Sequence, residues 1–122
     1  MIGAMAHVTI DKQAQLFKAL MHPVRIQILE ILRGGEACVC HIEAMLGLRQ
    51  AYVSQQLAVL RRFGLIKDRR DGSNIYYRVI RREVFDMLDT ARAIVGDEEK
   101  PATRRATGCS CPRCVPHIAR IE

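Results

Sequence analysis

Residues 38–66 read CVCHIEAMLGLRQAYVSQQLAVLRRFGLI, and the reading of this stretch decides the fold. Ile42, Met45 and Leu46 fall on the inner side of a short helix over 38–45. Gly47 gives a tight turn, and a second helix runs over 50–63 until Gly64 closes it. In that second helix Val53, Leu57 and Leu60 stand at i, i+4 and i+7, a single apolar stripe that must face a core. Two short helices joined at a glycine turn make a helix-turn-helix, in which the first helix braces the second.

After Gly64 the period changes from helical to alternating. The runs 65–70 and 74–80 are β-like and flank Asp71-Gly72-Ser73, a strong local hairpin signal. Upstream, 9–21 reads as a helix with Ala14, Phe17, Leu20 and Met21 at helical spacing, ended by His22-Pro23. Pro23 suits the first position of the next helix, over 23–32, with Ile26, Ile28, Leu29, Ile31 and Leu32 mostly buried. A last helix over 82–95 carries Val84, Phe85, Leu88, Ala91, Ile94 and Val95, more apolar surface than a small domain needs. Its excess assigns it to a dimer interface, the plainer alternative being that it caps the core. The expected fold is mainly α with a β-hairpin wing, a winged helix-turn-helix dimerised through terminal helices. Residues 1–95 form the DNA-binding and dimerisation domain, and 96–122 a polar tail without periodicity.

Composition narrows the class. The chain has 122 residues, enough for one modest core, and 49% hydrophobic residues with no Trp, three Phe and three Tyr. That balance suits aliphatic helix packing. No apolar run of about 18 residues is present and the first ten residues lack a signal-peptide pattern, so a cytoplasmic protein with no membrane partner is expected. Between Arg49 and Arg82, nine Lys/Arg face only Asp68 and Asp71, a local charge of +7 in a chain of formal charge +6. A concentrated basic stretch in a near-neutral remainder is the footprint of a polyanion binder. No acid/base pair or phosphate loop stands out, so no catalytic role is expected.

Double-stranded operator DNA is the partner this arrangement implies. With Val53, Leu57 and Leu60 inward, Gln50, Ala51, Tyr52, Ser54, Gln55 and Ala58 lie nearer the DNA side. Gln and Ser can hydrogen-bond base edges in the major groove. Arg49, Arg61 and Arg62 suit phosphates, and Arg69, Arg70, Ser73 and Asn74 surround the wing turn.

Six segments stand in order and in register: Leu16-Phe17-Lys18-Ala19-Leu20, Pro23-Val24-Arg25-Ile26-Gln27-Ile28-Leu29, Cys38-Val39-Cys40, Val53-Ser54-Gln55-Gln56-Leu57, Leu60-Arg61-Arg62-Phe63-Gly64-Leu65 and Gly72-Ser73-Asn74-Ile75-Tyr76-Tyr77-Arg78. Together they resemble the ArsR/SmtB family over about residues 10 to 95. The resemblance implies a homodimeric bacterial repressor that leaves its operator on binding a small inorganic inducer. One departure is Gln56, where the family often has His.

The resemblance also implies thiolate ligands at Cys38 and Cys40, as in the family's arsenic, cadmium and lead sensors. The arsenic-type pattern is Cys-Val-Cys-x-x-Cys, but the third position here is Glu43. Cys109, Cys111 and Cys114 in the tail offer further sulfurs, either completing the first pair or forming a trigonal set alone. An extended chain spans roughly 3.3–3.6 Å per residue, so the tail reaches the pair in its own subunit or the partner's. Three sulfurs suit As(III), and four suit Cd(II) or Pb(II). On a regular helix, residues i and i+2 diverge by about 200°, so a shared ion requires the first turn to be unwound. That predicts a switch in which capture distorts the bracing helix. Other readings stay open: small buried thiols at a helix start, a redox or persulfide switch on the same body, or a metal-buffering protein. His22 is read as part of a helix junction, and His41 as solvent-facing. The last helix has Asp86 and Asp89 but no His, so a zinc or nickel site is not expected there.

Overall fold

The computed structural model describes residues 4–96, with side chains from Thr9 onward. The expected tail, apart from Gly96, and with it Cys109, Cys111 and Cys114, lies outside the described residues. The elements run α1 (Ala4–Leu20), α2 (Pro23–Leu32), β1 (Ala37–Cys38), α3 (Val39–Leu46), α4 (Gln50–Arg62), β2 (Ile66–Asp71), β3 (Asn74–Val79) and α5 (Glu83–Val95). Among the described residues, no helix is long and apolar enough to cross a membrane.

Each boundary has a local cause. His22 caps α2, its ring nitrogen Nδ1 accepting from the Val24 N–H at 3.2 Å, with Pro23 at the first turn. Gly47 ends α3 in the left-handed region, at φ 66°, where a Cβ would be strained. Asp71 pairs with Asn74 across a two-residue turn, and Gly72 there has φ 62°. The acidic Glu83 and Asp86 sit in the first turn of α5, where the helix dipole favours negative charge.

One core serves all elements. Ile28, Leu29, Leu32, Ile42, Val53, Leu57, Leu60, Ile66, Val79, Val84, Phe85 and Leu88 pack into a single buried cluster. The α4 stripe is therefore inward, as its spacing predicts. Glu30 and Arg33 near the end of α2 meet Asp89 and Arg92 of α5 in a four-member ion-pair network with contacts of 2.9–3.7 Å. Glu30, accepting two hydrogen bonds from Arg33, holds that guanidinium's proton more firmly than usual.

The structure corrects the sequence-based picture in four places. The first helix begins at Ala4, five residues early, because no breaker lies between residues 4 and 9. Ile26 is exposed, since α2 turns that side away from the core. The hairpin is part of a three-stranded sheet of order β1-β3-β2, with Cys38 opposite Tyr76 and Ala37 opposite Tyr77. Finally, α3 starts after Cys38, which belongs to the strand. The terminal helices leave large apolar side chains in solvent: Phe17 of α1 is 60% and Met21, just past its end, 77% exposed, and Ile94 and Val95 of α5 are 79% and 77% exposed.

Candidate nucleic-acid interface and its thiol pair

The outward side of α4 carries what its spacing dictates. Gln50, Ala51, Tyr52, Ser54 and Gln55 are exposed, and Ala58 is half-buried. Arg49 caps the helix without a side-chain hydrogen bond, so the first-turn N–H groups remain available to an anion. Arg61 and Arg62 are exposed at the other end, Arg61 lying 3.5 Å from Asp68. That pair is too solvated to hold the guanidinium tightly.

The wing divides its cations. Arg70 is exposed and forms no ion pair among the described residues, and Ser73 and Asn74 lie at the turn. Arg69 is engaged: its guanidinium donates to both Glu36 carboxylate oxygens, at 2.6 and 3.1 Å, and lies 4.9 Å from the centre of the Tyr76 ring. These hydrogen bonds raise its affinity for its proton. Arg69 thus ties the wing to the segment just before β1. Sequence spacing gave no sign of Glu36 as its partner, because the two are 33 positions apart.

Cys38 and Cys40 come together. Their sulfurs are 2.6 Å apart, within reach of an S–H···S hydrogen bond. Cys38 is 2% exposed and Cys40 half-buried, with Tyr76, Ala44 and Met45 packed around them. Cys38 is extended (φ −78°, ψ 158°), and its sulfur accepts the His41 N–H at 3.2 Å, capping α3. The 200° divergence expected on a helix does not arise, because only Cys40 is helical. The pair needs no unwinding to present both sulfurs at one point. His41 is half-buried rather than solvent-facing, and burial lowers its affinity for a proton.

As a ligand set the pair is partial. Among the described residues, no three His, Cys, Asp or Glu converge in a way that could hold a metal ion. Two adjoining soft sulfurs fit a thiophilic species, whose remaining positions must be filled from elsewhere. Asp89 of α5 is engaged with Arg33 and Arg92.

Two contacts on α4 escaped the pattern-based reading. Gln56 is the only buried polar side chain among the described residues, at 8% exposure, and accepts from Arg25 Nε at 2.9 Å. Tyr52, one turn earlier, meets His22 Nε2 through its hydroxyl at 3.2 Å. The signal was available: position 56 lies three residues after Val53, at the edge of the inward stripe.

Residues 22–68 match the family model described as "Bacterial regulatory protein, arsR family". The chain is 38% identical over 84 residues to the HTH-type transcriptional regulator Rv0081 of Mycobacterium tuberculosis, covering 68% of this chain and 74% of that one. The crystal structure of Rv0081 superposes with a TM-score of 0.66 at 36% identity, covering 71% of this chain and 88% of that one. The biofilm growth-associated repressor of Xylella fastidiosa is 36% identical over 92 residues, 75% of this chain and 81% of the relative. A homodimeric winged helix-turn-helix DNA-binding domain from Mycobacterium bovis, solved by NMR, gives a TM-score of 0.69 at 29% identity, covering 77% of this chain and 87% of that one. These relatives are described as a transcriptional regulator, a repressor and a DNA-binding domain.

Proposed function

The chain belongs to the ArsR family of bacterial regulatory proteins, and from that premise we propose that it is a homodimeric operator-binding repressor released when the Cys38–Cys40 pair captures a thiophilic inducer. The observation that carries the thiol control is the contact of the two sulfurs at the cap of α3, the helix that braces α4. Arsenite is the leading inducer: it condenses with two thiols, forming two As–S bonds and releasing two waters without a change of oxidation state. Cd(II) and Pb(II) are the alternatives when further sulfurs join, and the tail's Cys109, Cys111 and Cys114 are the reserve.

The dimer reading rests on the apolar side chains that α1 and α5 leave exposed and on the homodimeric relative. Two copies give two reading helices for a pseudo-palindromic operator, acting in the cytoplasm where that DNA is. Gln50, Ser54 and Gln55 read bases, and Arg49, Arg61, Arg62 and Arg70 neutralise phosphate. Capture at Cys38 bears on β1 and α3 together, since Cys38 belongs to both the sheet register and the helix cap.

A second reading uses the same pair as a redox switch. Two thiols in contact, with no third ligand among the described residues, also suit oxidation by a peroxide or sulfane-sulfur donor. The pair then loses two electrons and two protons to that oxidant.

The test is an operator mobility shift titrated with As(III), Cd(II), Pb(II), Zn(II) and a persulfide donor, on wild type and each Cys→Ser variant. Release by arsenite that vanishes in Cys38→Ser and Cys40→Ser supports the proposal. Release only by the persulfide donor selects the second reading, and release unaffected by any cysteine change overturns both.

A further inference from the structure

The apolar stripe of α4 sets how deep the helix sits, but apolar packing is non-directional and fixes its roll about its own axis poorly. Roll matters at the DNA. A side-chain tip about 5–6 Å from the helix axis moves by about 2 Å when the helix rolls by about 20°, more than a base-edge hydrogen bond tolerates.

On one flank, α4 carries two directional contacts to the α1–α2 junction, and they are four residues apart. Gln56 Oε1 accepts from Arg25 Nε at 2.9 Å. The same guanidinium donates through Nη1 to the carbonyl oxygens of Ala19 at 2.9 Å and Lys18 at 3.4 Å, in the last turn of α1. Arg25 therefore joins the end of α1, the start of α2 and the middle of α4. At the second point, His22 Nδ1 already accepts from Val24, so the ring proton lies on Nε2 and donates to the Tyr52 hydroxyl at 3.2 Å.

We infer that Arg25–Gln56 and His22–Tyr52 are positioning pairs that lock the roll of α4, so that specific operator reading depends on the α1–α2 junction. Gln56 is held by this bond away from the bases, and the Tyr52 hydroxyl serves the junction before the groove. The inference rests on α4 being the DNA-reading helix. It also places the carbonyl end of α1, next to the exposed Phe17 and Met21, in direct register with the reading helix.

The experiment uses the full chain and an operator selected from random duplexes by the wild-type protein. Affinity is measured for that operator and for a non-specific duplex of equal length, beside thermal melting. Gln56→Leu removes the acceptor at nearly constant volume; it is expected to weaken operator binding at least tenfold while changing non-specific binding less than about twofold. Gln56→Glu keeps an acceptor for Arg25 and is expected to stay within about threefold of wild type. His22→Asn keeps a cap for α2 but removes the tether, and Tyr52→Phe removes only the hydroxyl. Their operator losses are expected not to add in the double variant.

Three results overturn the inference: Gln56→Leu lowering both affinities in proportion to its melting loss; Gln56→Glu failing as badly as Gln56→Leu; or additive losses for His22→Asn and Tyr52→Phe, which assign the hydroxyl to DNA. A wild-type chain that selects no operator refutes the DNA-reading role of α4 instead, a separate outcome.

Discussion

The reading head and the edges of this molecule treat their residues differently. In α4 the stripe Val53, Leu57 and Leu60 is wholly buried, each of the three packing inside the chain. At the terminal helices Phe17, Met21, Ile94 and Val95 stay in solvent, and at the start of α3 two sulfurs lie in contact with no third His, Cys, Asp or Glu converging on them among the described residues. The centre is complete in one copy, whereas on the proposed function the edges are completed from outside, by a second subunit over the helices and a thiophilic ligand on the sulfurs. On that proposed function, the parts complete alone hold the fold, and the parts left incomplete are given over to assembly and control.

The largest effect separates the two regions most sharply. Leu57→Ala leaves a cavity in the core and is expected to cost about 2–5 kcal/mol of folding stability, measured by urea unfolding. Ile94→Ala is expected to leave the unfolding of the isolated chain nearly unchanged, because Ile94 is already in solvent. Equal losses would erase the distinction between centre and edge.

Association comes next. Ile94→Asp is expected to raise the dimer dissociation constant roughly tenfold or more, since it buries an unpaired charge in the interface. Light scattering reads the mass, and circular dichroism is expected to show helix content retained. A variant that stays dimeric at low micromolar concentration would move the interface elsewhere. Smaller still is the division on the wing. Arg70→Gln is expected to reduce the slope of log affinity against log salt by about one. Arg69→Gln, removing a cation already paired with Glu36, is expected to reduce it by less. A reversed order would make the Glu36 pair a resting-state contact that DNA displaces.

Much of the centre was readable because its signals are local. Val53, Leu57 and Leu60 repeat at helical spacing, Pro23 and Gly47 mark helix ends, and Asp71-Gly72 marks the hairpin; each lies where its local chemistry puts it. What escaped was non-local or too short to carry a period. Two residues, Ala37 and Cys38, make β1, and only the Tyr76–Tyr77 edge of β3 gives them a strand partner. That single-residue shift of the α3 boundary turned two diverging thiols into a contacting pair. Arg25 and Gln56 are 31 positions apart, and their bond exists only after α2 and α4 pack. Phe17 and Met21 match a helical pattern equally well whether a core or a second copy covers them, so the pattern alone does not tell which.

If the thiol pair governs the grip on DNA, labelled operator anisotropy reads that coupling without an intermediate step. Under reducing conditions, wild type and Cys38→Ser are each titrated onto operator with and without arsenite. Serine also caps a helix well, so Cys38→Ser is expected to bind operator within about twofold of wild type. Arsenite is expected to weaken wild-type binding by about 5–150-fold, the usual range of allosteric coupling, and to leave Cys38→Ser unmoved. Arsenite that binds the wild-type protein while operator affinity stays constant would refute thiol control of DNA binding.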